Sequence, residues 1–247
     1  MFRRAAGLIA LSLLAIPAKS QVLIGALLGS ALSSPTFNIG FDIGLNFAKL
    51  DGMDGAERAT GPMIGLFASW RFSEHYHLWF DVIPLSTKGA RDATPVPLGD
   101  STLDPMIAGG RLDRALNYID FPVLLQYAPH RDAGFRFGVG GQVGILLSAN
   151  DRYEAVSPQG TPLVIERDIE DAVRPVDAGW VASVEYRIPK LSFAIGVRYY
   201  TAATTLFQSN DAPSIKQRVL SGTGRISLGV KKPAPDSTSR ARSAKSR

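Results

Sequence analysis

The sequence predicts an all-β fold, a transmembrane antiparallel up-and-down β-barrel of about eight strands. Three observations predict it. Apolar and polar residues alternate with a period of two along most of the chain. The connections between the alternating runs are sorted by length. The charges inside those runs share one face.

Composition narrows the field first. The chain has 247 residues, with 45% hydrophobic and 20% charged, which excludes a wholly disordered protein and a helical membrane protein of several spans. It contains no cysteine, so disulfide scaffolds and thiolate metal sites are excluded. The formal charge of +5 belongs to the ends. Arg3, Arg4 and Lys19 lie near the start. Lys232, Arg240, Arg242, Lys245 and Arg247, against Asp236, lie at the finish, and the body between is slightly acidic. A nucleic-acid-binding fold needs its basic patch in the folded body, so no nucleic-acid partner is expected.

Residues 1–20 read as a cleaved secretory signal. Arg3 and Arg4 precede an apolar run from Ala5 to Pro17, too short to span a bilayer, and Ala18-Lys19-Ser20 supplies small residues before a cut ahead of Gln21. Residues 21–36 are expected as an N-terminal periplasmic segment, 37–231 as the barrel and 232–247 as a disordered basic tail without apolar period.

The first strand sets the pattern. Phe37, Ile39, Phe41, Ile43, Leu45 and Phe47 fall on one face, and Asn38, Asp42 and Asn46 on the other. The alternation recurs over about 64–72, 76–82, 119–127, 135–147, 180–188, 191–199 and, more weakly, 220–230. Several runs reach the ~9–11 residues that a tilted strand needs to cross a bilayer. The expected connections are 50–62, 73–75, 88–116, 128–133, 149–175, 189–190 and 202–217. Long ones alternate with short ones, as in barrels with long extracellular loops and short periplasmic turns. A β-sandwich has no reason to sort its loops in this way.

In lipid only helices and closed barrels satisfy their backbone, and a closed barrel turns its apolar side outward. The polar face is therefore the lumen. It collects Asp42, Arg71, Asp81, Asp120, Arg136, Glu185, Arg187, Arg198 and Arg225, acids and arginines able to neutralise one another. Phe67, Trp79 and Tyr200 would help fill the bore, since eight strands enclose little more than side chains. Trp70, Phe72, Tyr76, Tyr127, Phe135, Tyr186, Ile188 and Leu191 would form a belt beside the short turns.

The pieces Gln21-Val22-Leu23-Ile24, Gly44-Leu45-Asn46-Phe47, Leu85-Ser86-Thr87-Lys88-Gly89 and Tyr118 through Tyr127 resemble the PorT-like outer-membrane β-barrel family, a porin-family group of outer membrane protein beta-barrel domains. The resemblance implies a structural outer-membrane protein of a Gram-negative bacterium, with some members linked to secretion, and it brings no catalytic residue. The basic ending departs from the usual aromatic barrel terminus.

Chemistry is sparse. His75-x-His77 has the spacing of two ligands on one face, with His130 in another short turn, but solvated turn histidines are the expectation and no metal is. No catalytic or cofactor-binding residue stands out, and no cofactor is expected. Asp104, Asp113, Asp151, Glu154, Glu166, Asp168, Glu170 and Asp171 are expected as solvated loop acids. The expected partners are outer-membrane lipid and lipopolysaccharide, with a periplasmic or secretion-machine protein as a further one. The expected role is non-enzymatic: structural, adhesive or secretion-accessory. The alternatives are a narrow passive channel and, more weakly, an outer-membrane enzyme.

Overall fold

The computed structural model describes residues 34, 36–130, 134–157, 160–188, 191–209 and 213–228. The expected signal over 1–20, most of the 21–36 segment and the tail over 232–247 lie outside the described residues. The elements run β1 Phe37–Asp51, β2 Glu57–Arg71, β3 Tyr76–Ala93, α1 Asp104–Ile107, β4 Arg111–Tyr127, β5 Gly134–Val156, β6 Pro162–Asp168, β7 Val176–Arg187, β8 Phe193–Ala202 and β9 Lys216–Leu228. Neighbours pair antiparallel in the order β4-β3-β2-β1-β9-β8-β7-β5, and β4 pairs with β5, so eight strands close a ring. Closure leaves those strands without a free edge, the condition for a sheet in lipid.

The ninth strand does not widen the ring. β6 pairs with the far end of β5, Asn150 opposite Asp168 through Val156 opposite Pro162, whereas β7 pairs with the near end, Ile145 opposite Val176 through Gly134 opposite Arg187. β6 and β7 thus occupy one strand position, interrupted over 169–175. Phe37 lies opposite Trp70 and Ile39 opposite Leu228, so the barrel begins and finishes at the end of the 72–75 turn, called here the short-turn end.

The expected connections need correction at the long-loop end. β2 starts at Glu57, not near 64, and the first long loop shrinks to a turn over 52–56. β3 runs on to Ala93, β4 starts at Arg111, β5 runs on to Val156, and β6 lies inside the expected 149–175 loop. The reason is local. β3 carries a bulge at Pro84-Leu85, which shifts both of its ladders: Ile83 faces Asp120 but Ser86 faces Tyr118. Proline cannot donate to a ladder and is tolerated where one is already broken. β5 carries another shift, Tyr118 facing Leu146 and Asn117 facing Ser148. Each shift reverses which parity points inward, so the period of two is lost although the strand continues.

Outward-facing side chains on the short-turn side are almost wholly apolar. Ile43, Leu45, Ile64, Leu66, Phe80, Val123, Phe137, Val139, Val184, Ile195 and Val197 are exposed on the outer wall. At its lower margin Phe72 stacks on Tyr76, Tyr76 meets Tyr127, and Phe135 meets the edge of Tyr186 at 5.0 Å. At its upper margin the outer wall becomes charged, with Lys49 opposite Arg218 and Asp51 opposite Lys216, and with Arg58, Arg91 and Arg152 exposed.

Candidate functional site

The lumen is the only region that gathers reactive groups in number among the described residues, and it is built in layers. At mid-barrel the alternation of β1, β3, β7, β8 and β9 points Asp42, Asp81, Glu185, Arg198 and Arg225 inward, all essentially buried. Arg198 Nη2 donates to Asp42 Oδ2 at 3.1 Å and to Asp81. Arg225 Nε donates to Asp42 Oδ2 at 3.2 Å, and Nη1 donates to Glu185. Arg136 lies 3.8 Å from the other Glu185 oxygen. One buried carboxylate, Asp42, is shared by two arginines and so ties β1 to its neighbour β9 and, beyond it, to β8. Removing one member would strand a buried charge.

An aromatic layer caps this knot. Phe67 stacks on Trp79 with centroids 4.4 Å apart, Trp79 Nε1 donates to Asp81, and the Arg225 guanidinium lies 4.3 Å from the Trp79 ring centroid. Toward the loops, Lys88 Nζ donates to Asp120 Oδ1 at 2.8 Å and lies over the rings of Tyr118 and Tyr200. Tyr200 donates to Asp177 at 2.8 Å, and Thr204 donates to the other Asp177 oxygen. Gly144 gives this layer its room: a Cβ there would sit 2.7 Å from Asp120 Oδ1. Higher still, Arg114 grips Asp151 through two bonds of 2.7 and 2.6 Å.

Around these pairs the interior is apolar. Ile169, Val173, Leu206 and Ile215, all from connections between strands, fold over the bore and pack with Leu50, Ala90, Leu116, Tyr118, Leu146 and Ala149. Backbone bonds fix the cap: Arg174 N–H donates to Leu206 O and Gln208 N–H to Ala172 O, and Val173 bridges Phe207. A second cluster of Ala93, Ile107, Leu112 and Tyr153 sits beside α1.

The nine residues expected to line the lumen are distributed as follows. Asp42, Asp81, Glu185, Arg136, Arg198 and Arg225 form the mid-barrel knot, and Asp120 pairs one layer up with Lys88. Arg71 and Arg187 stand apart, half-buried at the short-turn mouth. Among the described residues four charged residues of the interior lie outside the expected set: Lys88, Arg114, Asp151 and Asp177. Lys88 and Asp151 follow a bulge and Arg114 lies in a stretch expected as loop. Asp177 could have been found by continuing the inward face of Glu185, Ser183 and Gly179 two residues back.

Two expectations are corrected. Asp151 is not a solvated loop acid but a buried ion-pair partner, because the β5 shift turns it inward. His77 is not a solvated turn residue: it is 5% exposed and faces the lumen, whereas His130 is exposed. His75 Nδ1 meets Ala128 O at 3.2 Å. Among the described residues no group of three His, Cys, Asp or Glu is arranged to hold a metal ion. Several of the other loop acids meet local partners: Asp104 accepts from Leu98 N–H, Glu154 pairs with Arg111 and Arg152, and Asp168 accepts from Glu170 N–H.

A closed ring of eight antiparallel strands, apolar outside and charged within, defines a transmembrane β-barrel. The chain belongs to the family of the outer membrane protein beta-barrel domain, whose model matches residues 33–208, and that family places it in the Gram-negative outer membrane. β9, which closes the ring, lies beyond the matched residues. No curated protein matches the chain. Similar solved structures include Ail, the attachment invasion locus protein of Yersinia pestis, at 11% identity and a TM-score of 0.41, covering 78% of this chain and 99% of that one. Neisserial surface protein A is similar at 13% and 0.36, covering 78% and 97%. OprG from Pseudomonas aeruginosa is similar at 14% and 0.35, covering 76% and 93%. Superpositions this loose carry nothing about function.

Proposed function

We propose that this chain is a non-enzymatic, non-conducting outer-membrane barrel of the PorT-like kind, which holds a surface structure in place for an adhesive or structural role. The observation that carries this reading is the filled bore. Ion pairs, the Phe67–Trp79 stack that packs against them and an apolar cluster toward the loops occupy the interior among the described residues. Eight strands enclose little beyond their own side chains in any case. The mature protein would start near Gln21, with both ends of the chain, including the basic tail, in the periplasm. Lipopolysaccharide phosphates would then meet the cationic collar of Lys49, Arg58 and Arg218.

Support for adhesion comes from the far end. Val156 and Val164, on the β5–β6 hairpin, are exposed well beyond the charged collar. With Pro105, Met106 and Leu163 they line an open groove beside α1. Apolar surface outside the lipid marks a contact face. Planar-bilayer recording of the purified protein tests the reading: no steady single-channel current is expected. Well-resolved open channels would replace it with the passive-channel alternative. The secretion-accessory role rests on the PorT-like resemblance and the tail. It predicts cross-links in cells between residues 233–247 and a periplasmic protein.

A further inference from the structure

The closed ring leaves one strand with an open side. β5 pairs with β7 through its near end and with β6 through its far end. Along β7 the far side of this shared strand position is covered by β8. Along 172–174 it is covered by 206–208, where Arg174 N–H donates to Leu206 O and Gln208 N–H to Ala172 O. Along β6 itself, from Pro162 to Asp168, no strand lies on that side among the described residues. The opposite margin of the same sheet is closed: Glu57 pairs with Arg91, and Thr94 N–H donates to Asp54 O.

The phase of the β5–β6 ladder fixes which groups are open. Ser157 N–H donates to Thr161 O at its tip, and Ile169 N–H to Ala149 O at its base. Bonded and non-bonded residues alternate in an antiparallel pair. Leu163, Ile165 and Arg167 therefore turn their backbone groups to β5. Val164, Glu166 and Asp168 turn N–H and C=O away from it, and none of these N–H groups has a backbone acceptor among the described residues. The ladder runs from Pro162 to Asp168 without a register shift, so no bulge turns this edge away from a further strand.

The side chains define what fits. On the inner face Leu163 and Ile165 are only half-buried against the cluster of Ala93, Ile107, Leu112 and Tyr153, so a further strand would extend that apolar layer. On the outer face Val164, Glu166 and Asp168 are exposed. Among the described residues Glu166 meets only Arg152, at 3.9 Å, and Asp168 has no ion pair. Opposite charges on neighbouring strands stabilise a sheet, and like charges destabilise it. A second copy of β6 would set these acids beside their own kind. An extended chain with lysine or arginine at alternate positions complements them.

We propose that the open edge of β6 binds an extended cationic segment of another protein by strand addition. The segment's backbone bonds to Val164, Glu166 and Asp168, its basic side chains face Glu166 and Asp168, and its apolar side chains cover Leu163 and Ile165. The inference deepens the adhesive reading of this end and rests on it for placing the edge outside the cell.

The test is fluorescence anisotropy of a labelled short peptide of alternating valine and lysine, titrated with the whole chain refolded in a nonionic detergent. Saturable binding is expected. Val164→Pro removes an N–H from the open edge and leaves the bonds to β5 in place, since proline is tolerated where its nitrogen faces solvent. It should weaken binding about tenfold or more, whereas Val164→Thr, which keeps the N–H, should bind as the wild type does. Methylating alternate backbone nitrogens of the peptide should weaken binding as the proline does. A valine–glutamate peptide should bind more weakly than the lysine peptide. Should Val164→Pro not refold, Glu166→Pro repeats the edge test. The proposal is overturned if the lysine peptide does not bind, if binding ignores the proline and the methylation, or if the glutamate peptide binds equally well. It is also overturned if the barrel pairs with itself and Val164→Pro abolishes that pairing, which makes the occupant a second copy. Bilayer recording keeps the two readings apart. Open channels with peptide binding intact would fail the adhesive reading and not the edge, and a silent barrel that binds no peptide would fail the edge alone.

Discussion

The two halves of the barrel obey opposite rules. On the short-turn side apolar residues face out and charges face in: Ile43 and Ile64 are exposed while Asp42 and Arg225 are buried. On the long-loop side charges line the outer wall and apolar residues fill most of the interior around the buried Arg114–Asp151 pair: Lys49 and Arg152 are exposed while Leu50, Leu112 and Leu116 are buried. β1, β4 and β5 each pass through both halves as one strand. β1 makes the change between Phe47 and Lys49 outside and between Asn46 and Ala48 inside. Backbone pairing is thus indifferent to which face is apolar, and the surrounding solvent decides. Lipid accepts the apolar wall and leaves the charges to pair inside, whereas water reverses both preferences. The level of Lys49 and Arg218 marks where the solvent changes.

The largest expected effect lies in the inverted half. Arg225→Ala strips a partner from Asp42 and Glu185 together, in a layer where neither acid reaches water. It should cost about 3–5 kcal/mol of barrel stability, measured by urea titration in liposomes. A near-neutral result would mean that the knot is hydrated and that this half is not inverted as described. Next comes the wall itself. Ile43→Arg places a charge near mid-height on the lipid face and should cost about 2–4 kcal/mol. The same residue type already stands at Arg58 on the neighbouring strand, so a similar penalty for placing arginine at Thr60 would dissolve the boundary drawn at the collar.

The cap offers a smaller effect of ordinary soluble-core kind. Leu206 is 4% exposed in the cluster with Val173 and Ile215. Leu206→Ala should cost about 2 kcal/mol, at the low end for a buried leucine because a loop can settle into the space. It should also speed proteolysis near Arg174, whose N–H bonds to Leu206 O. Bilayer current should stay absent, since the Phe67–Trp79 stack still blocks the bore below. Current in this variant would show that the cap alone closes the lumen.

The contrast also explains what could be read from the sequence. In the lipid half, one rule holds over the whole length of each strand, so Asp42, Asp81, Arg136, Glu185 and Arg198 were legible as one face. Arg71 and Arg187 were legible as inward but not as separate from the knot, because alternation fixes direction and says nothing about height. In the aqueous half the rule changes sign, and bulges at Pro84-Leu85 and beside Ser148 change its phase. Alternation carried through both changes averages to nothing, and β3, β4 and β5 were cut short there. Lys88, Arg114 and Asp151 were lost with them. The cap was illegible for another reason: Ile169, Val173 and Leu206 belong to no strand, and only the closed ring shows what they cover.

The smallest effect separates ion pairs by solvent rather than by geometry. Arg114 and Asp151 are buried inside the aqueous half, 4% and 3% exposed and bidentate at 2.6 and 2.7 Å. Arg152, the next residue along, points outward, 51% exposed, 2.9 Å from Glu154 and 3.9 Å from Glu166. Its distance to Glu154 is nearly that of the buried pair, but water and salt screen it and its long side chain gives up freedom to hold the contact. Arg152→Ala should therefore cost only about 0.2–1 kcal/mol. That cost should vanish as salt is raised toward about 1 M, where screening acts within ~3 Å. Arg114→Ala measured beside it should lose several times more and respond little to salt. Equal losses with equal salt dependence would show that the two sides of β4 and β5 share one solvent, and that the interior above the collar is wet.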